Sequence, residues 1–280
     1  MGNAGGSGES RARRLVLDGG GQLPSEAMGI FKAWAKQNHA TSSTGALCSI
    51  LIVPWASERE AEEHIADAEA WITEEDQIKI VIAPSISQIN DSAQVLASAM
   101  AMIEAANGIF ITGGDQVRFM TLLDAKQQLQ RALTRQFRAG VGIAGTSAGT
   151  AVMGQTMITG EGGSDSSAVV PWDFISAGRV QTRPGLGFTP NIVCDQHFTL
   201  RGRMNRLISV LLTEETPERY GLGIDEDVAV VIESDAQLRV FSDKPGLSAV
   251  LLARGGDDKP NTFALEILPA NGSVVKVAAE

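Results

Sequence analysis

Short, mostly apolar runs, separated by stretches with helical spacing, organise the chain as far as residue 144. Leu15-Val-Leu-Asp18 leads into the turn Gly19-Gly-Gly21, and Pro24–Gln37 then places Ala27, Ile30, Phe31 and Trp34 on one helical face. Strand, glycine turn and helix make the first unit. The order repeats as strand 47–53, helix 58–73, strand 78–83, helix 91–106, strand 108–112, helix 120–138 and strand 141–144. Strands alternating with helices of this length require right-handed crossovers, so the pattern predicts an α/β fold built on a mostly parallel, doubly wound sheet.

The rhythm changes after residue 155. Residues 156–190 are rich in Gly and Ser, with short apolar pieces around Trp172 and Phe174, and read as a long functional loop with some strand. Regular order returns with strand 191–195 and a helix over 200–213. The β runs Val228–Glu233, Leu238–Phe241, Ala249–Ala253, Phe263–Leu268 and Val274–Val277 are expected to extend the same sheet as antiparallel strands. Residues 1–12, rich in Gly and Ser, read as a disordered leader, and 13–280 as a single domain.

Composition narrows the function. The chain has 280 residues, 44% of them apolar, and a net charge of -10, which argues against a disordered chain and against general binding to nucleic acid or anionic lipid. The cationic segment Arg201-Gly-Arg-Met-Asn-Arg206 is a local exception that suits a small anionic ligand. No run of eighteen apolar residues occurs and the first residues lack an apolar core, so neither a membrane span nor Sec export is expected, and the cytoplasm is the expected compartment. Cys48 and Cys194 make neither a metal cluster nor a disulfide framework; both read as buried small hydrophobes in a reducing compartment.

Ligands of an open parallel sheet bind beyond the carboxyl ends of its strands. Gly145-Thr-Ser147-Ala-Gly149 follows strand 141–144 and precedes helix-compatible residues, the context of a nucleophile elbow: small flanking residues allow a tight turn that lifts the serine hydroxyl above the sheet. A serine needs a base within hydrogen-bond reach. His39 and His64 read as solvated surface residues, whereas His197, in Asp195-Gln-His-Phe198 at the end of strand 191–195, is placed to serve. In Thr112-Gly-Gly-Asp-Gln116, the Gly114 N–H is a candidate to join that of Ala148 in an oxyanion hole, a flexible turn being the other reading. A carboxylate must orient the imidazole; Glu226 in Gly223-Ile-Asp-Glu-Asp227 is the first choice, with Glu161, Asp165 and Asp225 as rivals.

Taken together, Thr112–Gln116, Gly145–Gly149, Asp195–Phe198 with Arg201, Arg203 and Arg206, and Gly223–Glu226 resemble the cyanophycinases, serine exopeptidases of the aspartyl dipeptidase (S51) group. The resemblance runs in order over residues 14–280. It implies a three-layer α/β/α, flavodoxin-like fold related to class I glutamine amidotransferases, a homodimer, and no metal or organic cofactor. It implies that Ser147 is the nucleophile, His197 its base and Glu226 the acid of the triad. Gln116, Asp195, Gln196, Arg201, Arg203 and Arg206 match positions associated with substrate recognition. The implied substrate is cyanophycin, poly-aspartate whose β-carboxyls carry arginine, cut to β-Asp-Arg dipeptides. Guanidinium forks suit its carboxylates, and Asp195 or another acid suits its arginine. Thr150 and Trp55 depart from the expected small residues and bear on substrate size. Two other readings stay open: a related peptidase of short Asp-containing or isoaspartyl peptides, and a binding protein without a working triad.

Overall fold

Five of the apolar runs form the parallel part of an eight-stranded sheet. These are β1 (Leu15–Asp18), β2 (Cys48–Val53), β3 (Ile78–Ile82), β4 (Gly108–Ile111) and β5 (Gly142–Thr146), in spatial order β1-β5-β4-β2-β3. The structure is a computed structural model and describes residues 13–41, 47–160, 174–189, 191–234, 237–256, 258–259 and 261–277. The runs are mostly apolar because both faces of the sheet are covered; Lys79, in the edge strand β3, is exposed. In β1, Leu15 and Leu17 enter one core and Val16 the other. Helices α1 (Ser25–Thr41) and α2 (Ala61–Glu69) pack on the Val16 face. Helices α3 (Ile86–Asp91), α4 (Ala93–Ala105), α5 (Gln116–Ala125) and α6 (Gln127–Arg138) pack on the Leu15 face, completing three layers.

Several helices depart from the spacing: α3 (Ile86–Asp91) is an added short helix, and the expected helix 58–73 is confined to Ala61–Glu69. The expected helix 120–138 is two helices broken at Lys126, and the first begins at Gln116 because Asp115 caps it, accepting from the Val117 and Arg118 N–H groups at 2.7 and 3.3 Å. Helix α1 continues to Thr41 and takes His39 into its last turn.

Only some of the late β runs extend this sheet. β10 (Ala229–Ser234), β11 (Gln237–Phe241) and β14 (Val274–Lys276) lie antiparallel beyond β1 as expected. β12 (Ser248–Arg254) and β13 (Phe263–Pro269) do not. They join β8 (Ile192–Gln196) and β9 (Tyr220–Ile224) in a separate four-stranded sheet of order β13-β12-β9-β8. The reason is two-sided burial. Ala249 and Leu251 enter the core that holds Leu15, while Val250 and Leu252 meet Val193, Phe198 and Leu207 beneath α8 (Met204–Leu211). This sheet therefore shares its inner core with the large sheet and carries α8 on its outer side.

Within 156–190, β6 (Thr156–Ile158) pairs antiparallel with β7 (Thr182–Pro184). The expected leader 1–12 and Trp172 lie outside the described residues. Among the described residues, no helix is long and apolar enough to cross a membrane and no cluster of His, Cys, Asp and Glu could hold a metal ion. Cys48 and Cys194 are buried and free, and burial pushes the Cys194 thiol up to about 12.

Candidate active site

The elbow is built from the end of β5 and the short helix α7 (Ala148–Ala151). Between them Ser147 adopts φ 51° and ψ -111°, a region that costs a non-glycine residue about 1–3 kcal/mol and persists only where neighbours enforce it. Here they do. A Cβ on Gly145 would lie 2.4 Å from the Gly149 carbonyl oxygen, and one on Gly149 would lie 2.2 Å from that of Ile111, so neither flank tolerates a side chain. The Ser147 N–H donates to the Asp18 carbonyl at 3.0 Å. The buried Thr150 hydroxyl lies 2.7 Å from the Asp18 and Gly145 carbonyl oxygens and fastens the turn to β1 and β5. Thr150 is therefore part of the elbow's frame. Trp55 is likewise internal: its indole N–H donates to the Pro84 carbonyl at 3.0 Å and its ring packs on Phe119.

His197 arrives from the other sheet. It follows β8 at φ 47°, and its N–H donates to the Gly19 carbonyl at 2.9 Å, so the glycine turn after β1 bridges the two sheets. A Cβ on Gly20 would sit 2.2 Å from the imidazole Cε1; only glycine leaves room for the ring. Ser147 Oγ and His197 Nε2 are 2.8 Å apart, and His197 Nδ1 lies 2.5 Å from Glu226 Oε1. Parallel register pairs Gln196 with Ile224, which sets the acidic segment after β9 alongside the imidazole. Each of its three carboxylates has its own work. Asp225 accepts from the Thr199 N–H and hydroxyl, both at 2.6 Å, and holds the chain just past His197. Asp227 accepts from the Gln22 N–H at 2.8 Å and pairs with Lys244 at 2.5 Å. Glu226 is the one that reaches the ring; Glu161 and Asp165 lie outside the described residues.

Burial pushes the His197 imidazole below its ordinary pKa against the opposing hydrogen bond from Glu226, and Arg201 and Arg203 lower it further. The ring is then neutral near pH 7. With Nδ1–H donating to Glu226, Nε2 presents a lone pair to the serine hydroxyl. Ala148 opens α7, so its N–H is a first-turn donor that no carbonyl of that helix can take. The Gly113–Gly114 turn lies beside the elbow, a Cβ on Gly113 falling 3.4 Å from Ser147 Cβ.

The recognition candidates divide by burial. Asp195 and Arg206 are each 1% exposed and form a bidentate pair at 2.8 and 2.5 Å, so neither charge faces solvent. Arg203, at the edge of burial, donates to the backbone and side-chain oxygens of Gln196, and burial with Arg206 nearby lowers its pKa to about 10. Gln116 is buried and donates to the Ile158 carbonyl at 3.0 Å. Arg201 alone of the three arginines is exposed.

His64, expected on a solvated helix face, is buried. It belongs with Asp18 and Thr112 to the wall of a cavity of about 1100 Å³ that reaches Gly113, Gly114 and Thr146, next to the elbow. None of these three residues except His64 drew attention as a chemical group in the sequence. The available signal was an Asp ending an otherwise apolar β1 run.

A doubly wound α/β/α frame that sets a serine, an imidazole and a carboxylate in line has the outline of a serine-hydrolase site. Residues 26–240 match Peptidase family S51, and the chain belongs to that family. It is 40% identical to the cyanophycinase of Trichormus variabilis over 152 residues, which is 54% of this chain and 46% of that protein. It is also 40% identical to that of Geminocystis herdmanii over 139 residues, 50% of this chain and 47% of that protein. The chain thus spans about half the length of the curated relatives it matches. A crystal structure of a peptidase from an acI-B1 Actinobacterium superposes with TM-score 0.64 at 20% identity, over 96% of this chain and 98% of that one, a likeness of fold.

Proposed function

We propose that the chain is a serine exopeptidase that releases β-Asp-Arg dipeptides from cyanophycin through Ser147, His197 and Glu226. The observation that carries the reading is the line of contacts from Ser147 Oγ to His197 Nε2 at 2.8 Å and from His197 Nδ1 to Glu226 at 2.5 Å. Ser147 Oγ attacks the scissile carbonyl while His197 Nε2 takes its proton. The oxyanion is held by the N–H groups of Gly114 and Ala148, each such donor being worth about 3 kcal/mol in the transition state. His197 then passes the proton to the leaving amine, and water, deprotonated by the same nitrogen, releases the acyl group from Ser147. Glu226 keeps the productive tautomer and stabilises the imidazolium.

The choice of polymer rests on the cyanophycinase relatives. Arg201, exposed at the site, and Arg203 are assigned to substrate carboxylates, and Gln116 and Gln196 to substrate polar groups. Asp195 and Arg206, locked in a buried pair, position the end of β8 and with it His197. The same reading includes a homodimer and, with two free thiols, a cytoplasmic setting. The test is incubation with purified insoluble cyanophycin and mass identification of soluble products. β-Asp-Arg is the expected product. An inert polymer alongside cleaved free Asp-containing or isoaspartyl dipeptides would transfer the activity to short peptides.

A further inference from the structure

Three residues on the wall of the cavity beside the elbow each carry a buried polar atom that the triad does not use. Asp18, His64 and Thr112 line it at 1%, 6% and 5% exposure, and Asp18 Oδ1, His64 Nε2 and Thr112 Oγ1 have no hydrogen-bond partner among the described residues. A buried donor or acceptor left unmade costs about 1–3 kcal/mol, so three around one space mark a site that a ligand completes.

Charge states which ligand. The charged residues of the cavity wall are Asp18, Glu58, Glu63, Asp67, Asp115 and Arg59. Arg59 is committed to Glu63 and Asp67, at 2.9 and 2.7 Å, and Glu58 is paired with Arg118 at 2.9 Å. Asp115 caps α5. Asp18 remains without a cationic partner among the described residues: its other oxygen accepts from the Thr146 hydroxyl at 2.5 Å and the Gly20 N–H at 3.3 Å. Burial outweighs those two bonds and, with Asp227 and Glu226 nearby, pushes the Asp18 carboxyl up to about 7, the condition of a buried acid that lacks a counter-charge. The remaining wall includes Leu23, Ile52, Trp71 and Phe110, a lining for an aliphatic stem.

We propose that this cavity is a binding site for an alkyl cation, an aliphatic amine or guanidine whose head meets Asp18, Thr112 and His64 while its stem lies on the apolar wall. Such a group arrives either as a basic side chain of a peptide held at the elbow, one residue from Thr146, or as a free molecule. The site needs no turnover, so it stands or falls separately from the assignment of Ser147.

The test is calorimetric titration of the Ser147→Ala protein with n-butylguanidinium, n-butylammonium, n-butanol and butyrate. The two cations are expected to bind about tenfold or more tightly than the neutral and anionic analogues, as a charge-assisted hydrogen bond demands. Asp18→Asn should remove that preference. Because Asp18 also supports the elbow, Thr112→Val is the second variant, expected to weaken cation binding several-fold in a protein of unchanged circular dichroism. Displacement of butylguanidinium by an arginine-containing peptide assigns the cavity to a substrate side chain, and simultaneous binding assigns it to a free cation; both uphold the site. Equal binding of cation and butanol, or cation binding untouched by both variants, overturns it.

Discussion

His197 and His64 are buried to nearly the same degree, and burial pushes both imidazoles below their ordinary pKa. They differ in what meets the ring nitrogens. His197 stands between a hydroxyl and a carboxylate, at 2.8 and 2.5 Å, and each neighbour fixes the role of the other nitrogen. His64 has a buried Nε2 with no partner among the described residues, and the residue lines a cavity. Burial alone makes a neutral imidazole. A partner on each side makes one that can relay a proton, and an open cavity makes one that can receive a ligand.

The strongest way to break the comparison is at the serine. Ser147→Ala should lower kcat for polymer hydrolysis by about 10⁶, if the residues act as a unit, with circular dichroism unchanged. Next is Glu226→Gln, which keeps the shape beside His197 but favours the wrong tautomer; kcat should fall about 10⁴-fold, whereas His64→Gln, measured in the same assay, should leave kcat within a small factor. The buried pair behind His197 comes third. Arg206→Ala leaves the buried Asp195 charge with only the longer 3.8 Å contact to Arg203 and should cost about 3 kcal/mol in urea unfolding.

The pH profile sharpens the contrast further. In the proposed role His197 serves as base only when neutral, and its pKa is held below the ordinary imidazole value. kcat/KM should therefore be flat near neutrality and fall about tenfold per pH unit on an acidic limb below the usual imidazole pKa. A limb at or above that value would contradict the assignment. The smallest effect belongs to His64. Its folded pKa is depressed, so the unfolded chain binds the extra proton first, and stability present at neutral pH is lost as pH falls through the ordinary value toward the folded one. His64→Leu should flatten that slope in thermal melts.

Much of this was legible in residue order. Mostly apolar runs alternating with helical spacing gave the parallel sheet, because both faces of that sheet are covered. Ser147 and His197 stand out because each follows an expected strand at the edge where ligands bind, and Glu226 as the carboxylate to orient the imidazole; β9 before it is not among the expected strands. The split into two sheets was hidden: Ala249–Ala253 is apolar throughout, and nothing in an unbroken apolar run says which core each face joins. The burial of His64 is hidden for the opposite reason. Its neighbours Glu62, Glu63 and Asp67 are charged, yet one helix face turns inward even on a polar helix. Asp18 was hidden by being one polar residue at the end of an apolar strand, where only the third dimension shows that one of its oxygens lacks a partner.

The central claim is that one hydroxyl, Ser147 Oγ, is activated by the neutral imidazole beside it. Labelling with a serine-directed fluorophosphonate, followed by peptide mass mapping, reads this directly, since only an activated hydroxyl reacts readily. The account predicts a single adduct on the peptide carrying Ser147, lost in His197→Ala. An unlabelled protein, or labelling that persists without His197, would contradict it.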